Sequence, residues 1–374
     1  MTIKHLVISG GGPTGVIALG ALQHLEKQQF WNIENIESIY CTSAGSILGL
    51  LVALKFDWDS INDYIIKRPW HEVFQIRVSQ IFEAYNKKGV FDEKLFDIFF
   101  KPFFNSRDIS MKMTMYEFYE YTKIDFHVFS LEMNRFEIVD VSYKTHPDLE
   151  ILKAIHMTSA LPLIISPYCI GDDCFVDGGI ISNYPLNFCI KNNCITQQGG
   201  YDEILGLRNN YEKDPETDFV NNIVNQESTI LDYMMTFINK LVENVDTEKK
   251  QPSIENEVVY NTKHASFSFL KSAVSSSEVR QQLLNIGIQA SQQFLSLKQK
   301  KECKNEDKNE HKNEHKNEHK NEDKNEHKNE HKNEHKNEHK NEDKNENKNE
   351  DKNEHKNGNQ PIITVESEES PQVL

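Results

Sequence analysis

His5-Leu6-Val7-Ile8 is followed by Ser9-Gly10-Gly11-Gly12-Pro13-Thr14-Gly15, and then by Ile17, Ala18, Ala21, Leu22 and Leu25. A short apolar run, a glycine turn and apolar residues at a 3.6-residue period read as strand, loop and helix. A second cycle follows. Ile36 to Cys41 reads as a strand, Thr42 to Ala44 as a turn, and Gly45 to Leu54 as a helix apolar almost all round and therefore buried. Strands that alternate with helices imply parallel pairing and an α/β fold.

Further along, residues 57–104 carry helical, aromatic-rich signals, with Leu95, Phe96, Phe99, Phe100, Phe103 and Phe104 forming a stripe that suits core or a substrate wall. Thr114 and Glu117 form a capping box. Phe126 to Leu131 and Phe136 to Val141, joined through Asn134, read as a hairpin. Leu149, Leu152 and Ile155 mark a helix ended by Leu161-Pro162. Phe175-Val176 and Ile204-Leu205 are strands; a long amphipathic helix runs from Ile223 to Val245, and another from about Ser277 to Lys298.

The foldable region ends near residue 300. From Lys304 to Lys356 the chain repeats Lys-Asn-Glu-His or Lys-Asn-Glu-Asp, with no apolar side chain to offset the entropy of ordering. A period of four stacks Lys under Lys and Glu under Glu, so helix is disfavoured as well. The expectation is one domain over 1–300, a disordered repeat over 301–357 and an acidic disordered tail over 358–374.

Charge narrows the class of partner. The chain carries 42 basic and 58 acidic residues. Residues 301–357 hold 15 lysines against 18 acidic residues and 358–374 three glutamates, which leaves 27 basic and 37 acidic residues in the first 300. An acidic body argues against nucleic acid, and against bulk attraction to an anionic membrane. Peripheral membrane contact stays open, and composition leaves the oligomeric state unknown.

Six cysteines (Cys41, Cys169, Cys174, Cys189, Cys194, Cys303) lack the spacing of a secreted disulfide frame. The two C-x4-C pairs, Cys169 with Cys174 and Cys189 with Cys194, read as buried small hydrophobes rather than a zinc site. Met1 to His5 begin a strand rather than a leader, and the longest apolar stretch, Ile47 to Leu54, is too short to span a bilayer. A soluble or peripheral protein of the cytoplasm is expected.

Three glycine-marked loops carry the chemistry. Gly10, Gly11 and Gly12 follow a strand and precede a helix, so successive amides can face one negative oxygen near the positive end of the helix dipole. Gly10, Gly12 and Gly15 also fit the dinucleotide fingerprint, but the second strand ends in Cys41 and Ser43, not in the acid that a ribose needs. Cys41-Thr42-Ser43-Ala44-Gly45 is a strand-to-helix turn with a serine between small residues, which suits either an N-cap or a nucleophile elbow. Asp177-Gly178-Gly179 places a carboxylate at a strand end where two glycines let other backbone come close.

In this order, the three loops resemble the patatin-like phospholipase family, over about Leu6 to Pro185. Ser159-Ala160-Leu161-Pro162, Pro167, Asn183 and Pro185 agree with it as well. The resemblance implies a three-layer α/β/α sandwich with a mostly parallel central sheet. It implies a Ser43–Asp177 dyad without histidine, an oxyanion hole of Gly10, Gly11 and Gly12 amides, and supporting roles for Gly15, Cys41, Gly45, Gly178 and Gly179. The implied reaction is hydrolysis of a lipid or phospholipid ester through an acyl-enzyme, with no metal and no cofactor. The family usually has glycine where Cys41 stands and arginine or lysine where Thr14 stands. Two other readings are a Ser-His-Asp esterase using His156, His146 or His264, and a weakened member that binds lipid without turnover.

Overall fold

The computed structural model describes residues 2–193, 195, 200–211, 224–245, 251–263, 266–301 and 303. The tetrapeptide repeat, the acidic tail, Ile223, Cys194 and His264 lie outside the described residues.

Alternation of apolar runs with helices gives the expected order: β1 (His5–Ile8), α1 (Gly15–Lys27), β2 (Ser38–Thr42) and α2 (Ala44–Ala53). Helices α3 (Trp58–Asn62), α4 (Trp70–Val73) and α5 (Val78–Lys87) follow, then β3 (Gly89–Phe91), α6 (Lys94–Ser106) and α7 (Met115–Thr122). The chain continues through β4 (Asp125–Glu132), β5 (Glu137–Val141), α8 (Ile151–Ser159), β6 (Leu163–Ile165), β7 (Tyr168–Ile170), β8 (Asp173–Asp177) and α9 (Leu186–Asn192). Strands β9 (Ile204–Tyr211) and β10 (Glu257–Thr262) enclose the helix Ile230–Val245; the helix Phe267–Ser275 and a helix over 277–301 come last.

The main sheet runs β10-β9-β1-β2-β4-β8-β7, with β5 also paired to β4. Its first five strands are parallel, while β8, β7 and β5 join antiparallel, so the fold is α/β with a mostly parallel sheet flanked by helices. Period-two alternation sorts the faces. Leu6, Ile8, Ile39, Cys41, Phe126 and Val128 pack with α1 and α2, whereas Val7, Tyr40 and Phe129 pack with Tyr184, Leu186 and Cys189 around α9. The aromatic stripe of α6 serves as core through Phe96, Phe100, Phe103 and Phe104.

One register detail creates the site. Residues 125–129 of β4 pair with β2, and residues 130–132 pair with β8. Strand β5 pairs 128–132 and so occupies the opposite edge. Strands β2 and β8 therefore abut end to end along one edge of β4, with Thr42 opposite Phe129 and Asp177 opposite Ser130. Two chain segments distant in sequence finish at adjacent places.

The cysteines correct the sequence reading. Cys41 and Cys189 are buried, but Cys169 is exposed and Cys174 partly so. They are cross-strand partners in the β7–β8 hairpin, at a sheet edge instead of in the core, with their sulfurs 2.9 Å apart.

A buried ionic cluster sits on β4. His127 stacks on Tyr40 and lies between Asp140, 2.7 Å from Nδ1, and Asp125, 3.0 Å from Nε2. Burial alone disfavours its charge, but the two flanking carboxylates outweigh that and push its pKa up from 6.5 to about 9. A raised folded-state value means that the stabilisation is complete below the ordinary value and lost as pH climbs to the folded one. The urea midpoint should therefore decline between pH 6.5 and about 9, and His127→Gln should flatten that slope. An unchanged slope in the variant would remove the cluster as its cause.

Candidate active site

Strand β2 runs into Ser43, whose φ of 52° and ψ of −128° lie outside the ordinary regions for a residue with a side chain. Helix α2 begins at the next residue. The turn is tight because α2 starts almost on top of β1: a Cβ at Gly45 would fall 2.5 Å from the Ser9 carbonyl oxygen. Gly10 likewise lets Ser43 approach, since a Cβ there would be 2.9 Å from that of Ser43. Gly15 opens α1 against Ala44. Cys41 points into the core toward Gly49 of α2, where a Cβ would stand 3.3 Å from its sulfur. The missing side chain at Gly49 thus accommodates a residue larger than glycine at position 41.

Ser43 is 8% exposed and donates its hydroxyl proton to Asp177 Oδ2 at 2.6 Å. The other carboxylate oxygen accepts the Gly179 amide at 2.8 Å, and the Asp177 amide donates to the Ala160 carbonyl at 3.0 Å. Gly178 passes beneath the Phe129 carbonyl. Asp177 is 6% exposed. Burial pushes its pKa up from 3.8 to about 6, opposed by the hydrogen bonds from Ser43 and Gly179. Thr158, which sequence reasoning did not single out, accepts the Ser43 amide at 2.9 Å and fixes the elbow. Its only sequence signal is a hydroxyl at the end of a helix that leads into the Asp177 segment.

The glycine loop differs from expectation in one respect. The Gly10 amide donates to the Asn183 carbonyl at 3.1 Å, so it is not free to receive an oxyanion. Gly11 and Gly12 have positive φ, 147° and 58°, and among the described residues no group accepts their amide protons. Both line the same cavity as Ser43, at the positive end of α1. Thr14 stands where a cation was expected and ties the loop down instead. Its hydroxyl donates to the Gly11 carbonyl at 2.9 Å and accepts from Asn209 Nδ2 at 3.0 Å. Asn183 reaches between the glycine loop and Gly179.

These groups form the polar end of a cavity of about 740 Å³. The remaining wall is mainly apolar, with Ile47, Trp70, Phe74, Phe96, Phe99 and Met235 among its residues, and Phe91, Leu231 and Ile238 beside them. So the α6 stripe is both core and wall. Arg280 also borders the cavity, but its N–H groups donate to the carbonyls of Ile66, Arg68, Ala273 and Val274. It braces the wall. Of the histidines weighed as a base, the two described ones do not meet Ser43: His156 binds the Ser166 carbonyl through Nε2 at 2.7 Å and His146 binds Thr145.

Comparison with known proteins places residues 6–190 in a match to the family described as patatin-like phospholipase. The chain is 26% identical over 190 residues to a probable lipid hydrolase of Invertebrate iridescent virus 6, covering 50% of this chain and 63% of that protein. It is 23% identical over 186 residues to an uncharacterized protein of Acanthamoeba polyphaga mimivirus, covering 49% and 60%. The match thus spans less than two thirds of either relative. Among solved structures it is similar to VipD from Legionella pneumophila, with a TM-score of 0.41 and 15% identity over 76% of this chain and 67% of that one.

Proposed function

We propose, on the premise that this chain carries a patatin-like phospholipase domain over residues 6–190, that it hydrolyses carboxylic esters of lipids or phospholipids with Ser43 as nucleophile and Asp177 as base. The observation that carries the reading is the 2.6 Å hydrogen bond between Ser43 Oγ and a buried carboxylate, inside an apolar cavity. As Ser43 Oγ attacks the ester carbonyl, its proton passes to Asp177, and the carbonyl oxygen, now negative, meets the Gly11 and Gly12 amides. Collapse breaks the bond to the alcohol, which leaves with the proton from Asp177. Water then attacks the acyl-serine, Asp177 takes one of its protons, and the fatty acid departs as Ser43 is reprotonated.

An aspartate is a weak base toward an alcohol, and burial partly corrects this by raising its proton affinity. The remaining barrier falls on the amide pair, a contribution on the order of several kcal/mol. An apolar wall suits acyl chains, and no step needs a group from outside the chain other than water.

A fluorophosphonate probe is expected to label the full-length protein at Ser43, with labelling lost in Ser43→Ala and located by peptide mass spectrometry. Labelling that survives the substitution would put the nucleophile elsewhere. Absence of labelling in the parent would favour a protein that binds lipid without turning it over.

A further inference from the structure

Helix α5 has its apolar side outward. Val78, Ile81, Phe82 and Tyr85 follow the i, i+3, i+4, i+7 pattern of a core-facing stripe, yet they are 72%, 58%, 75% and 89% exposed. The residues of α5 that are partly covered are Gln80 and Ala84. Helix α6, with a similar pattern, buries its stripe. Large apolar side chains held together in water mark a surface that something else covers.

The placement of α5 is informative. Phe74 and Ile76 before it and Val90 and Phe91 after it line the cavity that contains Ser43. The helix therefore stands on two stems that are both cavity wall. The helix Ile230–Val245 also contributes Leu231, Met235 and Ile238 to the cavity wall but leaves Ile230, Tyr233 and Phe237 more than half exposed. Charge distinguishes among occupants. Arg77 and Lys88 are exposed at the two ends of α5, while Lys87 pairs with Glu83 at 2.9 Å and Asp92 at 3.4 Å, in a body with 27 basic and 37 acidic residues. An apolar stripe with basic ends fits an anionic lipid interface.

We propose that α5, supported by the outward face of the helix Ile230–Val245, docks this protein on an anionic lipid bilayer with the cavity mouth against the surface. This rests on the lipid-ester reading of Ser43 and adds to it how substrate arrives: an acyl chain passes from bilayer to cavity wall without crossing water. The net charge of the body does not draw the protein to membranes; α5 provides a local exception.

The test uses the full-length chain with Ile81→Asp and Phe82→Asp together, neither residue being part of the cavity. Flotation with phosphatidylcholine vesicles containing phosphatidylserine is run in a Ser43→Ala background, so that binding is read without turnover. The paired substitution is expected to weaken vesicle binding by about tenfold or more. In the active background it should slow hydrolysis of vesicle phospholipid in proportion, while leaving turnover of a water-soluble short-chain nitrophenyl ester unchanged. Equal flotation of parent and variant, or no flotation of the parent, overturns the docking surface. A parent that sediments as a dimer and becomes a monomer on substitution, with flotation unaltered, gives the face to a second copy instead. Vesicle binding lost on substitution, with neither ester cleaved by the parent, upholds the surface and rejects the catalytic reading.

Discussion

Asp177→Asn should lower ester turnover by about three to four orders of magnitude while leaving the fold more stable at neutral pH. The amide preserves the size of the side chain and still accepts the Gly179 proton through Oδ1, so the hydrogen-bond frame survives. Its nitrogen can donate to Ser43 Oγ, which accepts as readily as it donates. What it cannot do is take a proton.

The stability gain follows from the sign of the shift. Burial raises the Asp177 pKa from 3.8 to about 6. Between those values the folded state holds a proton that the unfolded state has released, so stability falls as pH rises through the interval. At neutral pH a buried ionised carboxylate is a standing cost, which asparagine removes. The unfolding midpoint of the variant should exceed that of the parent at neutral pH, and the difference should shrink as pH falls below about 6. The parent's kcat/KM should rise through the same pH as the base ionises. Turnover within tenfold of the parent would remove Asp177 as base; a variant less stable at neutral pH would show that the carboxylate is structural.

What could be read from the sequence was local. The strand-loop-helix cycles of β1–α1 and β2–α2 follow from apolar period, and the elbow from a serine flanked by residues small enough for α2 to start on β1. The meeting of Ser43 and Asp177 does not follow from either loop. It depends on β2 and β8 abutting along one edge of β4, which brings segments more than a hundred residues apart together through the separate pairings each makes with β4. For the same reason the sequence assigned Gly10 to the oxyanion donors: nothing near it announces that the Asn183 carbonyl occupies its amide. At Cys169 residue type misled, since the cysteine is exposed at a sheet edge, and the exposure of α5 shows the limit of periodicity. It identifies which residues share a face, not whether any element covers that face. The Asp125–His127–Asp140 cluster was accessible in principle, because residues two apart on a strand share a side and the hairpin register brings Asp140 alongside.

Ser43→Ala and Ser43→Gly are both expected to abolish turnover, by about four orders of magnitude or more, yet to differ from each other in stability. Each deletes the hydroxyl and leaves Asp177 Oδ2 without its serine partner, so that loss cancels in the comparison. Both retain the backbone amide that donates to Thr158. The difference lies in the backbone. Position 43 has φ 52° and ψ −128°, where any Cβ is strained but glycine is not. Relief of roughly 1 to 3 kcal/mol of strain, set against the 0.5 to 1 kcal/mol entropic penalty of glycine, leaves Ser43→Gly about 1 kcal/mol more stable than Ser43→Ala. Denaturant titration of the two variants measures this directly, and single-turnover assays measure the lost chemistry. Residual activity near that of the parent would place the nucleophile at another hydroxyl, whereas equal stability of the two variants would mean that the elbow stores no strain. If the glycine variant is the more stable, the strain at Ser43 is a cost of holding the hydroxyl against Asp177, which a flexible residue at this bend would avoid only by losing that alignment.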